Sequence, residues 1–172
     1  MEMRTLAYGF PRIGENREFK TLIEGYWAGK VSREEMFSGI NALSERIASL
    51  YASNVDFYPV NEMTFYDFIL DTAVLLGIIP QRFMPYKGIN TYFEMARGKH
   101  ALEMTKYFNT NYHYIVPELE VAFIDFSFRE PLNLTIAEAM KKRGRGALPK
   151  ITGPFTFLKL SKEAVDTNGY RG

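Results

Sequence analysis

Cysteine is absent from the 172 residues, which removes disulfides, thiol catalysis and any cysteine-ligated metal from this chain. Histidine is nearly absent: His100 and His113 are the only two, and their spacing is not the i, i+4 pair that a helix offers to zinc. No apolar run reaches the length of a membrane span. Met1-Glu2-Met3-Arg4 leads into a strand-like segment, not a secretory signal. An excess of one charge is missing too. Lys and Arg number 21 against 20 Asp and Glu, a net charge of +1, so no large basic field is available for nucleic acid. What is present is a globular composition, 47% hydrophobic and 24% charged, in a chain long enough for one sizeable core. With no low-complexity linker and no short-period repeat, residues 1–172 read as a single cytoplasmic domain.

The pattern alternates strands and helices. A strand over 5–10 ends in a Gly/Pro turn, and Asn16 caps a helix over 17–28 that puts Phe19, Leu22, Ile23, Tyr26 and Trp27 on one face. Gly29-Lys30-Val31 interrupts it. Ser32 and Glu35 form a capping box for a longer helix with Phe37, Ile40, Leu43, Ile47 and Leu50 inward. Residues 55–60 read as strand two, delivering Asn61 and Glu62. Thr64 then caps a helix that buries Phe65, Phe68, Ile69, Leu76 and Ile79 and is ended by Pro80. Helices over 91–97 and 101–108 follow, then a turn at 109–111 and strand three over 112–116. Beyond an aromatic-rich stretch at 122–128, a helix over 132–142 is broken by Gly144 and Gly146. Residues 150–160 read as strand four with a turn at Gly153-Pro154, and 163–172 as a polar tail. Strands separated by helices imply a parallel α/β sheet.

The densest chemistry lies at Gly9-Phe10-Pro11-Arg12-Ile13-Gly14-Glu15-Asn16-Arg17-Glu18-Phe19-Lys20. Arg17 and Lys20 share a face of the first helical turn, where the dipole disfavours cations and Glu18 offsets only part of the conflict. Two readings are open: a site for an extended polycarboxylate or phosphate beside free N–H groups, or two solvated surface charges. The Gly9/Gly14 spacing is that of a phosphate-binding loop, but Glu15-Asn16 replaces the required Lys-Ser/Thr. Asp67 and Asp71, four apart, are either an acid–base pair or a solvated face with mild repulsion. His113, inside Tyr-His-Tyr, reads as packed and hydrogen-bonded. His100 stands near Arg97, Lys99 and Lys106 as part of a basic rim or as a plain surface residue.

The first of these runs resembles the opening of cobalamin-independent methionine synthase, the 5-methyltetrahydropteroyltriglutamate–homocysteine methyltransferase family. Further matches follow in order: Phe65-Tyr66-Asp67 with Leu70-Asp71-Thr72, and Thr91-Tyr92-Phe93-Glu94-Met95-Ala96-Arg97-Gly98. Ala101-Leu102-Glu103-Met104-Thr105-Lys106 and Asn109-Thr110-Asn111-Tyr112-His113-Tyr114-Ile115-Val116-Pro117-Glu118 match next, then Gly153-Pro154-Phe155-Thr156-Phe157-Leu158. The likeness covers essentially the whole chain and only the front part of that enzyme.

The resemblance implies a region of a (β/α)8 barrel. A barrel needs about 250 residues, so the expected fold is a partial, half TIM barrel. Its two open sheet edges call for self-association or for docking with a C-terminal catalytic barrel. It implies that Arg17, Glu18, Phe19 and Lys20 contact the folate substrate, 5-methyltetrahydropteroyltriglutamate, with Lys106 a second contact. Phe19 replaces the leucine more often seen there. The family's zinc, which binds homocysteine as thiolate, belongs to the C-terminal barrel of the full-length enzyme. No cofactor, metal ligand or catalytic residue is therefore expected in this chain, and no methyl transfer by it alone. Without the resemblance, Lys106 reads as a cation at a helix C-terminus. Two other functions stay open: a non-catalytic binding module for folate or another polyanion, and a structural partner of a separate catalytic barrel. No nucleic-acid or membrane partner is expected.

Overall fold

The computed structural model describes residues 3–120 and 136–163. In chain order the elements are α1 (Glu18–Trp27), α2 (Arg33–Asn54), β1 (Tyr58–Pro59), α3 (Phe68–Leu75), a 3-10 turn (Gln81–Phe83) and α4 (Ile89–Arg97). There follow β2 (Met104–Lys106), β3 (His113–Ile115), β4 (Glu118–Leu119), α5 (Ile136–Arg143), β5 (Ala147–Leu148), α6 (Pro154–Leu160) and β6 (Lys162–Glu163). The chain divides into two compact units, Met1–Phe65 with Leu134–Lys150, and Tyr66–Asn133 with Ile151–Gly172. The aromatic-rich stretch 122–128, the start of the helix expected over 132–142 and nearly all of the polar tail lie outside the described residues.

In the first unit, the predicted capping box opens α2: Glu35 N–H donates to Ser32 Oγ (3.1 Å) and Ser32 N–H to Glu35 Oε2 (2.8 Å). The buried stripe of α2 is Met36, Ile40, Leu43, Ile47, Ala48 and Tyr51. It departs from the expected one at both ends. Phe37 is half-buried and Leu50 is 45% exposed, because Tyr51 takes the inward position. The Tyr51 ring stacks on Tyr58 at 5.5 Å between centroids and its hydroxyl donates to Glu62.

Strand one shrinks from 5–10 to a single parallel bridge, Leu6 with Phe57. Phe57 N–H donates to Thr5 O (3.0 Å) and Ala7 N–H to Phe57 O (2.9 Å). The next donor on that side of a parallel ladder would be residue 59, and Pro59 has no N–H. On its other side β1 pairs in parallel with β5, Tyr58 opposite Ala147 and Pro59 opposite Leu148. Tyr58 N–H donates to Gly146 O and Val60 N–H to Leu148 O. Helix α5 is tied to α2 through Glu45, which accepts from Lys142 Nζ (2.6 Å) and Arg143 Nη1 (2.8 Å).

In the second unit, Asp67 is only 1% exposed and organises two elements. Its Oδ1 caps α3 by accepting from Ile69 and Leu70 N–H (2.8 and 2.9 Å), and its Oδ2 accepts from Ile115 N–H of β3 (2.9 Å). The cap is thus Asp67, not Thr64. Nor do Asp67 and Asp71 form a solvated pair, since Asp71 accepts from the hydroxyl of the buried Tyr92 (2.6 Å). Helix α3 ends before Pro80, in a Schellman motif at Gly77 (φ 71°): Ile78 N–H reaches Ala73 O (2.8 Å) and Gly77 N–H reaches Val74 O.

Two expected elements change type. Residues 101–108 have helix-forming side chains, yet residues 104–106 form β2, paired antiparallel with β3 across the expected turn at 109–111. Tertiary pairing overrides propensity here. Residues 154–160, read as strand, form α6 with Pro154 in its first turn, and Phe157 and Leu160 on its inner face join Ile69, Ala73, Ile78, Tyr114 and Val116 in one core. Strands β4 and β6 pair in parallel, Glu118 opposite Lys162. Among the described residues the strands make three two-stranded sheets, two of them parallel. The fold is therefore mixed helix and strand with parallel strand pairs, compatible with a partial α/β fold.

Gly146 tests the β1–β5 pairing. It sits at φ +99°, and a Cβ there would lie 2.3 Å from the Asp56 carbonyl oxygen. Gly146→Ala should cost about 2–4 kcal/mol from the backbone conformation and the clash together. The result would be a lower urea midpoint; an unchanged midpoint would show that the ladder is not needed for stability.

Candidate functional site

In parallel α/β structures the residues just past the strands are free to meet a ligand while the strands hold them in place. In the first unit those residues are Tyr8, Gly9 and Phe10 after the Leu6 bridge, Asn61 and Glu62 after β1, and Lys150 after β5. Asn61 splices two of the ends together: its Nδ2 donates to Lys150 O (2.7 Å) and its Oδ1 accepts from Lys150 N–H (2.8 Å).

Glu62 is the centre of this cluster and is 6% exposed. Its Oε2 accepts from the Tyr51 hydroxyl (3.0 Å) and from Phe10 N–H (3.1 Å). Its buried Oε1 has no hydrogen-bond partner among the described residues. Burial pushes the Glu62 carboxyl up from the ordinary carboxylate range, against the opposing pull of the Tyr51 hydroxyl, Phe10 N–H, Lys150 and Arg12. The same contact, with burial the larger cause, pushes the Tyr51 hydroxyl up. Gly9 belongs here for reasons of space: a Cβ on it would lie 3.4 Å from Glu62 Oε2 and 3.6 Å from Lys150 Nζ. Lys150 Nζ also lies 4.5 Å from the centre of the exposed Tyr8 ring. A buried carboxyl with raised proton affinity, a cation and an exposed ring can hold a polar ligand or move a proton.

The four residues expected at the folate contact divide into two pairs. Arg17 and Lys20 are exposed cations. Arg17 is the N-cap of α1, in the left-handed conformation (φ 61°, ψ 29°), and has no ion pair among the described residues. Lys20 pairs with Glu24 one turn on, at 3.4 Å. Glu18 and Phe19 instead serve the framework. Glu18 accepts from Arg46 Nη2 (2.7 Å) and Asn16 N–H (2.9 Å). Its own backbone N–H and then Arg46 hold its carboxyl below the usual range. Phe19 is buried with the Arg12 guanidinium over its ring. Asn16 is not the cap that its sequence position suggested. The first-turn N–H of Phe19 goes to Ile13 O (3.2 Å), so the chain itself occupies part of the expected anion nest.

Lys106 belongs to the second unit, exposed on β2 and opposite His113 on β3. The helix-terminus reading of Lys106 is thereby excluded. His113 is exposed and not packed, and His100 is exposed with its carbonyl accepting from Arg82 Nε (3.2 Å).

Residues 4–170 match the family model described as cobalamin-independent synthase, N-terminal domain. The chain belongs to this family. Similar proteins include the 5-methyltetrahydropteroyltriglutamate–homocysteine methyltransferase of Thermotoga petrophila, 49% identical over 161 residues that cover 94% of this chain and 22% of the relative. The enzymes of the same name from Bacillus cytotoxicus and Thermodesulfovibrio yellowstonii are 42% and 41% identical, over 94% and 96% of this chain and 22% and 23% of their own lengths. The chain thus spans about a fifth of the length of the curated relatives it matches. It lacks cysteine, and among the described residues no three His, Asp or Glu side chains stand close enough to hold a metal ion.

The sequence reading brought strand two to Asn61 and Glu62 but did not single out Glu62. A carboxylate at the end of an apolar strand was the available signal; its burial was not. The raised proton affinity of Glu62 fixes the sign of a pH effect. The folded state keeps the proton longer than the unfolded one, so stability from this group is present below the unfolded pKa and is lost as pH rises through the folded value. As pH rises above the ordinary carboxylate range, the wild-type chain should lose stability relative to Glu62→Gln, measured by urea unfolding. Parallel stability curves would show that Glu62 titrates alike in both states.

Proposed function

We propose that this chain is the opening part of an enzyme that transfers the methyl group of 5-methyltetrahydropteroyltriglutamate to homocysteine, and that its role is to hold and orient the folate's glutamate tail. The carrying observation is the alignment along 94% of the chain with enzymes of that name. The exposed cations support it: Arg17 with no ion pair among the described residues, Lys20 beside it and Lys106 on the hairpin. A triglutamate tail is an extended polyanion, and fixed guanidinium and ammonium groups recognise its carboxylates. In this reading residues 1–172 form one folate-binding domain, and the parallel β1–β5 pair with the Leu6 bridge is the start of a (β/α)8 barrel whose remainder lies elsewhere in the enzyme. Zinc and homocysteine belong to a C-terminal barrel, which docks here or is replaced by self-association at the sheet edges. No described helix is long and apolar enough to cross a membrane, in keeping with a cytoplasmic enzyme.

Two measurements test this. In calorimetry, Lys20→Glu with Lys106→Glu should weaken triglutamyl methyl-folate roughly 10- to 100-fold and leave the monoglutamate nearly unchanged. Equal losses for both ligands would remove the tail-binding assignment. Incubated with methyl-folate, homocysteine and zinc, the purified chain should form no methionine above background. Turnover would place the whole reaction within it.

A further inference from the structure

Past the strand ends of the first unit, a carboxylate and an ammonium border a residue that has no side chain. The position a Cβ would take on Gly9 is 3.4 Å from Glu62 Oε2 and 3.6 Å from Lys150 Nζ. Glycine leaves that point open between the two charges, and Gly9 is itself exposed. Its φ is not positive, and the two distances are contacts, not clashes. The backbone here would therefore accept an alanine, and what glycine preserves is the gap.

Glu62 has acceptor capacity to spare at this gap. A carboxylate offers about four acceptor positions. Two are filled, both at Oε2, by the Tyr51 hydroxyl and Phe10 N–H, while Oε1 accepts nothing from the described residues. The side chain is 6% exposed, and a buried acceptor left short of donors is costly. Lys150 and Arg12 act on the carboxyl through space and not through hydrogen bonds. The burial that pushes the Glu62 carboxyl up expresses the same shortage of positive charge. Lys150 is held by its main chain, since Asn61 takes both its N–H (2.8 Å) and its carbonyl (2.7 Å). Its Nζ lies 4.5 Å from the centre of the Tyr8 ring, which is 81% exposed.

We propose that this gap binds a free α-amino acid with an apolar side chain, its ammonium against Glu62, its carboxylate against Lys150 and its side chain along the Tyr8 ring. A zwitterion carries its two charges on one carbon, which suits two opposite charges bordering one point. Each charge then meets a charge-assisted hydrogen bond. Half a zwitterion does worse: an amine sets a second cation beside Lys150, and a carboxylate sets a second anion beside Glu62. A chain terminus carries only one of the two charges, so the match is to a free amino acid and not to a peptide end. Arg17, Lys20 and Lys106 take no part, and the site stands apart from the reading of those cations as folate-tail contacts.

The test is calorimetry on the 172-residue chain with L-norleucine, N-acetyl-L-norleucine and L-norleucinamide, using the wild type, Gly9→Ala, Glu62→Gln and Lys150→Met. Norleucine should bind the wild type with a Kd of about 0.1–1 mM, and each blocked form roughly tenfold or more weakly. Gly9→Ala should lose binding by a similar factor while its urea midpoint falls no lower than the wild type's, because the added methyl fills the gap without a clash. Glu62→Gln and Lys150→Met should each weaken norleucine roughly tenfold. No heat from norleucine at millimolar concentration would mean that water alone meets the spare acceptor of Glu62, and the proposal fails. Equal binding of norleucine and its blocked forms overturns it too, as does norleucine binding that Gly9→Ala and Glu62→Gln leave unchanged. Each of these failures leaves the triglutamate reading intact, since that is measured through Lys20 and Lys106.

Discussion

The backbone of residues 57–60 works on both sides, exchanging hydrogen bonds with residues 5–7 on one and donating to Gly146 and Leu148 on the other. Only Tyr58 and Pro59 of this stretch count as strand, yet three distant parts of the sequence are brought level by it. Phe10, Glu62 and Lys150 stand where they do because their strands end there. Main-chain bonds of this kind contribute modestly one by one. Their greater effect is to fix where the following side chains emerge, and the burial of Glu62 follows from that placement.

The second unit uses a different device. A single carboxylate, Asp67, supplies acceptors to the first turn of α3 and to the Ile115 N–H. A charge-assisted bond to a backbone donor is stronger than a neutral one, and here one buried side chain serves three donors. Tyr92 does something similar between Tyr66 N–H and Asp71. Both units therefore rely on polar side chains to splice short elements, and the apolar core closes around those splices.

Local signals were legible in the sequence. The Ser32–Glu35 box needs only residues three apart, and it stands as read. The stripe of α2 was nearly right, and it slipped where Tyr51 met partners outside its own helix. Non-local pairing was harder to see. Residues 104–106 carry helix-forming side chains, and only their meeting with 113–115 makes them a strand. Pro59 was visible, but its effect on the Leu6 pairing depends on which side of β1 its missing N–H would face. The exposed cations Arg17 and Lys20 stood out in the sequence by their spacing, and Lys106 through the resemblance. The framework roles of Glu18 and Phe19 and the burial of Glu62 came only with the fold.

Arg17 at the start of α1 sits in a backbone conformation that costs an ordinary residue about 1 kcal/mol or more and costs glycine almost nothing. A chain shaped for stability alone would carry glycine there. An arginine in this place costs folding free energy, and with φ and ψ confined its Cα–Cβ bond leaves the backbone in a set direction. Optimising this chain for heat resistance would therefore select for glycine and against an arginine at this position.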